Sequence, residues 1–162
     1  MTIVWQDLRY RVRPATTADV GTIAKHRVGM FLDMGALPAA AAAPLRAASA
    51  AYFARAIATG DYLGWLAELD GAVVAGAGVQ PRALLPRPDH IDGGVEAYVL
   101  NVYTEPAHRR RGLARGLMDV VLDWSRAQRH GRVTLHASDA GRPLYDTLGF
   151  AATTEMVLDL RR

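Results

Sequence analysis

The stretch from Ala97 to Trp124 constrains this chain more than any other. Ala97-Tyr98-Val99-Leu100-Asn101-Val102-Tyr103 is rich in β-branched and aromatic residues and reads as a strand. A basic segment, Thr104 to Ala114, follows it with Arg109, Arg110, Arg111 and Gly112. Then Leu113, Leu117, Met118, Val121, Leu122 and Trp124 recur at helical spacing. The order is therefore strand, short basic loop with a glycine, helix. A loop entering a helix turns unpaired backbone N–H groups outward, and the helix dipole adds positive character there. Gly112 lets a ligand approach the backbone, and the arginines with Arg115 supply charge, which suits a phosphorylated ligand. A solvated basic turn is the plainer reading of the same residues. Arginines at a helix start oppose its dipole, however, and a bound anion would offset them.

Upstream, Leu8 to Arg13 alternates apolar and basic residues and reads as a half-buried strand ended by Pro14. Thr16 with Asp19 forms a variant capping box. Val20, Ile23, Ala24, Arg27, Val28 and Phe31 give a helical stripe to about Asp33, closed by Gly35. A second helix is expected from Pro44 to Thr59, stopped by Gly60. Tyr62 to Leu69 and Ala72 to Gln80 read as strands joined at Asp70-Gly71, a strong hairpin signal. Gly76 and Gly78 weaken the second strand or mark a close backbone approach. Pro81 to Gly94 reads as a loop, Glu96 to Thr104 as the central strand and Gly112 to His130 as the long helix. Arg132 to His136 is a further strand, Arg142 to Leu148 a short helix, and Ala151 to Leu160 a last strand. Hairpins mixed with strand–helix–strand units predict an α/β fold on a mixed sheet.

With 162 residues and 51% hydrophobic content, a single domain spanning 1–162 is expected. The chain has no cysteine, and its five histidines include no His-x-x-x-His pair, so a metal site has little support. The longest small-residue run, Ala36 to Ala51, is broken by Pro38, Pro44 and Arg46 and is no membrane span. The N-terminus lacks a signal-peptide core, so a soluble cytoplasmic protein is the default. Net charge is only +3, and the basic residues gather at Arg109–Arg115 without aromatic interleaving. Nucleic acid is thus a poor partner and a compact anion a better one.

Arg109-Arg110-Arg111-Gly112-Leu113-Ala114 fits the pyrophosphate signature of the GCN5-related N-acetyltransferase (GNAT) family: Arg or Gln, two residues, Gly, one residue, Gly or Ala. Leu144-Tyr145-Asp146-Thr147-Leu148-Gly149-Phe150 resembles the same family's late segment. The two in this order, separated by room for a helix and a strand, make the signal specific. The resemblance is clear from about Tyr98 to Phe150. It implies a mixed, mostly antiparallel central sheet flanked by helices, whose splayed central strands form the cleft for acetyl-CoA. Backbone at Val102, Tyr103 and Thr104 would hold the pantetheine arm like an added strand. Arg109, Arg110, Arg111, Gly112, Leu113 and Ala114 would hold the pyrophosphate.

The implied reaction is direct acetyl transfer from acetyl-CoA to a primary amine, taken here as that of a small molecule. Peptide or protein N-acetylation is the alternative enzyme reading, but no acidic run would build its groove. A non-catalytic acyl-CoA-binding module of the same fold is the third. The reaction needs a neutral amine, a donor to the oxyanion and a proton for the departing thiolate. Tyr145 matches the family tyrosine beside the CoA sulfur and is assigned as general acid; a core tyrosine is the plainer reading. Ser138 stands where the family often has an asparagine that contacts CoA, and Gly141 and Arg142 could meet the pantetheine or the ribose phosphate. Many members use a glutamate on the central strand as base. Tyr98 holds that place here and cannot do the same job at neutral pH. Glu96, on the same face by strand periodicity, could act through water or be an exposed strand-end carboxylate. Asn101, the only asparagine in the chain, could orient substrate or water, or be a satisfied buried amide. His136 and His108 are weaker candidates. Met30, Phe31 and Met34 fall in the family's variable first-helix region and are candidates to line the acceptor site, with Asp33 as a carboxylate for a cationic amine. The family commonly dimerises, and the last strand is the candidate interface.

Overall fold

In a computed structural model the described residues are 1–86, 88, 91 and 93–160. A six-stranded sheet runs in chain order: β1 (Thr2–Trp5), β2 (Leu8–Pro14), β3 (Leu63–Leu69), β4 (Ala72–Leu84), β5 (Gly94–Thr104) and β6 (Val133–Leu135). Every neighbouring pair is antiparallel except β5 and β6, which are parallel. Helices α1 (Val20–Asp33) and α2 (Ala42–Thr59) come between β2 and β3, α3 (Leu113–Ala127) between β5 and β6, and α4 (Arg142–Thr147) follows β6. This is the mixed α/β sheet that the element order predicts.

The helices bury apolar stripes on both sheet faces. Leu113, Leu117, Met118 and Val121 of α3 are buried to 2% exposure or less, against a set that includes Trp65, Ala77, Val79 and Val99. Such burial stabilises by roughly 1.5–3 kcal/mol per large side chain. Ile23 of α1 and Phe53 of α2 form the second cluster with Tyr62 and Leu66. Trp65 and Leu66 are adjacent in β3 and serve opposite clusters, as the two-residue period of a strand requires.

An ionic clasp locks the entry of α1 to the sheet. The Arg13 guanidinium donates to both Asp19 carboxylate oxygens at 2.8 and 2.7 Å and to Glu68 at 2.6 Å. Asp19 also accepts the Thr16 N–H at 2.8 Å, which supplies the capping contact read from the sequence. Hydrogen bonding from Arg13 holds the buried Asp19 carboxyl down at about 2, from an ordinary 3.8. The folded-state value lies below the unfolded one, so the full contribution is present at neutral pH. It is lost as pH falls from about 4 to about 2. Asp19→Ala should cost about 2 kcal/mol at pH 7, less the screening that half-open Arg13 receives. Thermal melts of both proteins should converge as pH drops through that window; a constant gap would contradict the assignment.

Three expectations change. β1 was not read from the sequence; it pairs with β2 through a two-residue turn, Gln6 and Asp7, that lacks the usual Asn-Gly signal. β4 continues past Gln80 to Leu84, with Pro81 opposite Ala97, so the expected loop at 81–94 is shorter. The rest of that loop lies partly outside the described residues. The last strand does not form: Ala151–Leu160 has no regular structure, and Met156, Val157, Leu158 and Leu160 are at least 82% exposed. Alternating residues make a strand only where a sheet edge takes up their hydrogen bonds. The neighbouring edge, β6, is three residues long and pairs only with β5 among the described residues. No dimer contact can therefore be drawn from a last strand.

Candidate functional site

Strands β5 and β6 pair only from Ala97, Tyr98 and Val99 to Val133, Thr134 and Leu135. β5 runs on to Thr104 along β4, so among the described residues its other flank has no strand partner from Leu100 to Thr104. Here lies a cleft of about 1290 Å³, bounded by α1, α2, β5, the segment after β6, and Tyr145 of α4.

A bulge sets the geometry of β5 at this point. Gly78 pairs with Leu100 and Gly76 with Tyr103, so Asn101 and Val102 together oppose Ala77. Asn101 takes φ 54°, a left-handed backbone that asparagine tolerates better than most residues. It is 6% exposed, and its side-chain oxygen accepts from Arg27 Nη1 at 2.7 Å. Asn101 is thus an amide bonded through its oxygen at the cleft wall.

The cleft brings together most of the residues assigned to the substrate and reaction. Met30, Phe31 and Met34 line one part, Val102, Tyr103 and Thr104 the strand, and Ser138 and Tyr145 the far wall. Tyr145 is 9% exposed, and its ring meets Phe150 edge-on at 5.8 Å. Burial pushes its phenol pKa up, so the group stays protonated and can donate. The Ser138 hydroxyl accepts the Gly141 N–H at 3.2 Å, which holds the turn into α4.

Other assignments fare differently. Glu96 does not border the cleft; it is 7% exposed rather than open, and its carboxylate takes a 2.6 Å hydrogen bond from Arg132. A base role for it has no geometric support. Asp33 lines the cleft, but Arg109 holds its carboxylate, and Arg109 Nε donates to the Thr104 carbonyl at 2.9 Å. It is therefore not a free partner for an amine. His108 is turned to Tyr10, its Nδ1 3.2 Å from the hydroxyl, and Arg111 donates to that same oxygen at 3.0 Å. Arg111 is thus partly committed to the fold. Leu113 is a core side chain and can offer a ligand only its backbone.

The loop before α3 fits a phosphate-bearing group. Among the described residues, no backbone acceptor takes the N–H groups of Arg110 to Arg115. Gly112 has φ 76°, and a Cβ built there would meet no atom of the chain within 4 Å. The backbone is therefore bare toward solvent beside exposed Arg110 and Arg115. Gly141 and Arg142, at the start of α4, are not among the residues that line the cleft, whereas Ser138, Asp139 and Ala140 just before them are.

One pair escaped the sequence. The Tyr98 hydroxyl lies 2.6 Å from His136 Nδ1, and both border the cleft. Thirty-eight positions separate them, and only the short β5–β6 pairing brings them together. The Arg82 guanidinium stacks over the Tyr98 ring at 3.4 Å, and Glu155 stands 3.8 Å from His136 Nε2.

The Acetyltransferase (GNAT) family model matches residues 36–150, well over half of the chain. The chain belongs to this family. A GCN5-related N-acetyltransferase from Ralstonia eutropha JMP134 is 31% identical, with TM-score 0.86 and coverage of 93% of this chain and 98% of that one. A predicted acetyltransferase from Clostridium acetobutylicum, solved with acetyl-CoA, is 27% identical with TM-score 0.82, covering 93% and 96%. A ribosomal-protein-alanine N-acetyltransferase from Brucella melitensis biovar Abortus 2308, at 20% identity and TM-score 0.68 over 94% and 99%, shares the fold. Among curated proteins, none matches the chain. The sheet with its parted β5 and β6 is the GNAT fold. Among the described residues, no helix is long and apolar enough to cross a membrane, and no cluster of three His, Asp or Glu side chains could hold a metal ion.

Proposed function

We propose that this GNAT protein transfers the acetyl group of acetyl-CoA directly to the primary amine of a small molecule, as one domain spanning residues 1–162 and working in the cytoplasm. The observation that carries this reading is the open flank of β5 beyond Val99, facing a cleft that ends beside the bare N–H groups before α3. When bound, acetyl-CoA supplies the acetyl group as an activated thioester. The unpaired flank of Val102–Thr104 hydrogen-bonds an extended amide arm as an added strand would. Backbone N–H groups from Arg110 to Ala114, with the Arg110 and Arg115 side chains, receive the pyrophosphate. Ser138 borders the arm on the opposite side, with Gly141 and Arg142 just beyond it at the start of α4.

Tyr145 donates the proton of its hydroxyl to the leaving sulfur. Tyr98 and His136 act as one relay at the acceptor. The Tyr98 oxygen takes a proton from the attacking amine, while its own proton passes to His136 Nδ1 across 2.6 Å. The imidazolium so formed faces Glu155. This assigns a role to the tyrosine that stands where the family's glutamate is expected, and relieves Glu96 of it. Asn101 acts as a positioning residue through Arg27.

Thiol release from acetyl-CoA against a panel of primary amines tests the activity itself. His136→Gln and Tyr98→Phe should each lower kcat by about 10²-fold while leaving acetyl-CoA affinity within about twofold. Because the two act as a unit, the double variant should lose little more than either single. Singles with unchanged kcat, or losses that multiply, would contradict the relay. No thiol release from any amine, beside intact acetyl-CoA binding, would instead support a binding module.

A further inference from the structure

The acceptor side of the cleft holds a positive charge that the protein does not neutralise. Arg27, on α1, borders the cleft half-buried, its guanidinium 4.9 Å from the centre of the Phe31 ring. One Nη donates to Asn101 at 2.7 Å. No carboxylate pairs with it among the described residues. The other arginines that lean on buried acids have theirs: Arg13 has Asp19 and Glu68, and Arg132 has Glu96. Two acids line this cleft: Asp33, at the end of α1, is taken by Arg109, and Asp139, after β6, forms no ion pair with Arg27.

A guanidinium withdrawn from water costs free energy unless an anion meets it. Arginine remains protonated at any working pH, so titration does not remove that cost. Its planar fork presents paired N–H groups that match a carboxylate in bidentate geometry. Around it, Met30, Phe31, Leu45 and Phe53 give the cleft an apolar wall. With Arg109 paired to Asp33, one unpaired cation beside this apolar wall suits a monoanion on an apolar body; a phosphate dianion would call for several cations or a nest of amides.

We propose that Arg27 binds the carboxylate of the acceptor, and that the acceptor is a free amino acid with an apolar side chain. The inference rests on the acetyl-transfer reading and narrows it. Asn101 fixes one edge of the guanidinium, leaving the rest of the fork to the ligand. The amine, one carbon from the carboxylate, is then directed toward Tyr98, whose ring borders the same cavity.

Two measurements separate this proposal from the activity on which it rests. In the first, thiol release is followed with L-leucine, L-methionine and L-phenylalanine, each beside its decarboxylated amine. Wild type should favour the amino acids by at least about tenfold in kcat/KM, the worth of one charge-assisted hydrogen-bonded pair. Arg27→Gln should raise KM for the amino acids about 10- to 100-fold and leave the decarboxylated amines within about twofold. Arg27→Lys should fall between. In the second, the N-acetyl derivatives of the same three amino acids and their amides are titrated calorimetrically into protein saturated with CoA. The acids should bind more tightly than the amides, and Arg27→Gln should abolish the difference. Arg27-dependent binding of acids without any turnover would uphold the site and remove the acetyl-transfer reading. Amides binding as well as acids, or a preference for acids that survives in a folded Arg27→Gln protein, would overturn the proposal.

Discussion

Replacing Tyr145 with Phe should lower kcat by about 10²- to 10³-fold and leave acetyl-CoA affinity within about twofold. The ring is held by its surroundings rather than by its hydroxyl. It is 9% exposed, meets Phe150 edge-on, and its Cε2 lies 3.1 Å from where a Cβ on Gly141 would stand. Phenylalanine keeps those contacts, so the fold and the wall of the cleft should survive. What is lost is a proton on an oxygen that has no hydrogen-bond partner among the described residues. Burial raises the Tyr145 pKa, so the hydroxyl keeps its proton and wild-type activity should show no loss from this group around neutral pH. Steady-state kinetics with a saturating amine, beside calorimetry for the cofactor, separate the two effects. Unchanged kcat would reduce Tyr145 to packing. Equal loss of affinity and turnover would make it a binding residue.

The largest stability effect is expected at Gly78. The Tyr62 ring lies across this glycine: a Cβ placed there would stand 2.1 Å from the hydroxyl and 2.4 Å from Cζ. Tyr62 cannot easily give way. It is 3% exposed, packs on Phe53 with ring centres 4.7 Å apart, and burial lifts its pKa to about 12. Gly78→Ala should therefore cost about 3 kcal/mol through forced displacement of the ring. For a chain of this size that lowers Tm by roughly 6–12 °C. Shortening the obstacle with Tyr62→Leu in the same protein should recover part of the loss relative to Tyr62→Leu alone, since the two sites are in contact. A Tm change below about 1 °C in the single variant would mean that the ring is not where the structure places it.

Gly78 also shows what a sequence can carry. Two glycines inside a β-branched strand signal that something crosses close to the backbone, but not what crosses; the answer, Tyr62, stands just before the neighbouring strand. The core of the site was legible because its determinants are local. Period two in β5, a glycine in a basic loop and period 3.6 in α3 lie in consecutive residues and need no tertiary partner to be read. Residues whose roles depend on pairing were read poorly. Glu96 resembles a candidate base until Arg132 is seen against it. Tyr98 looks unsuited to proton transfer until β6 brings His136 alongside. The bulge at Asn101 changes which way that side chain points, and no spacing rule reveals a two-against-one register. Ala151–Leu160 failed for the converse reason: its local pattern is that of a strand, but strand formation is decided by the edge available to pair with it. β1 was missed because its turn, with Gln6 at φ 51°, uses residues that carry no turn signal.

The central claim is that acetyl-CoA lies between the parted β5 and β6 with its pyrophosphate on the loop before α3. Calorimetric titration of acetyl-CoA into wild type and Gly112→Ala tests it most directly. A methyl group at Gly112 meets nothing in the protein itself, and the left-handed backbone should cost the fold only about 1 kcal/mol. It would stand where the phosphates approach. Wild type should bind with a Kd on the order of micromolar, weakened at least about tenfold in a Gly112→Ala protein that remains folded. No binding by wild type, or equal affinity in the two proteins, would contradict it.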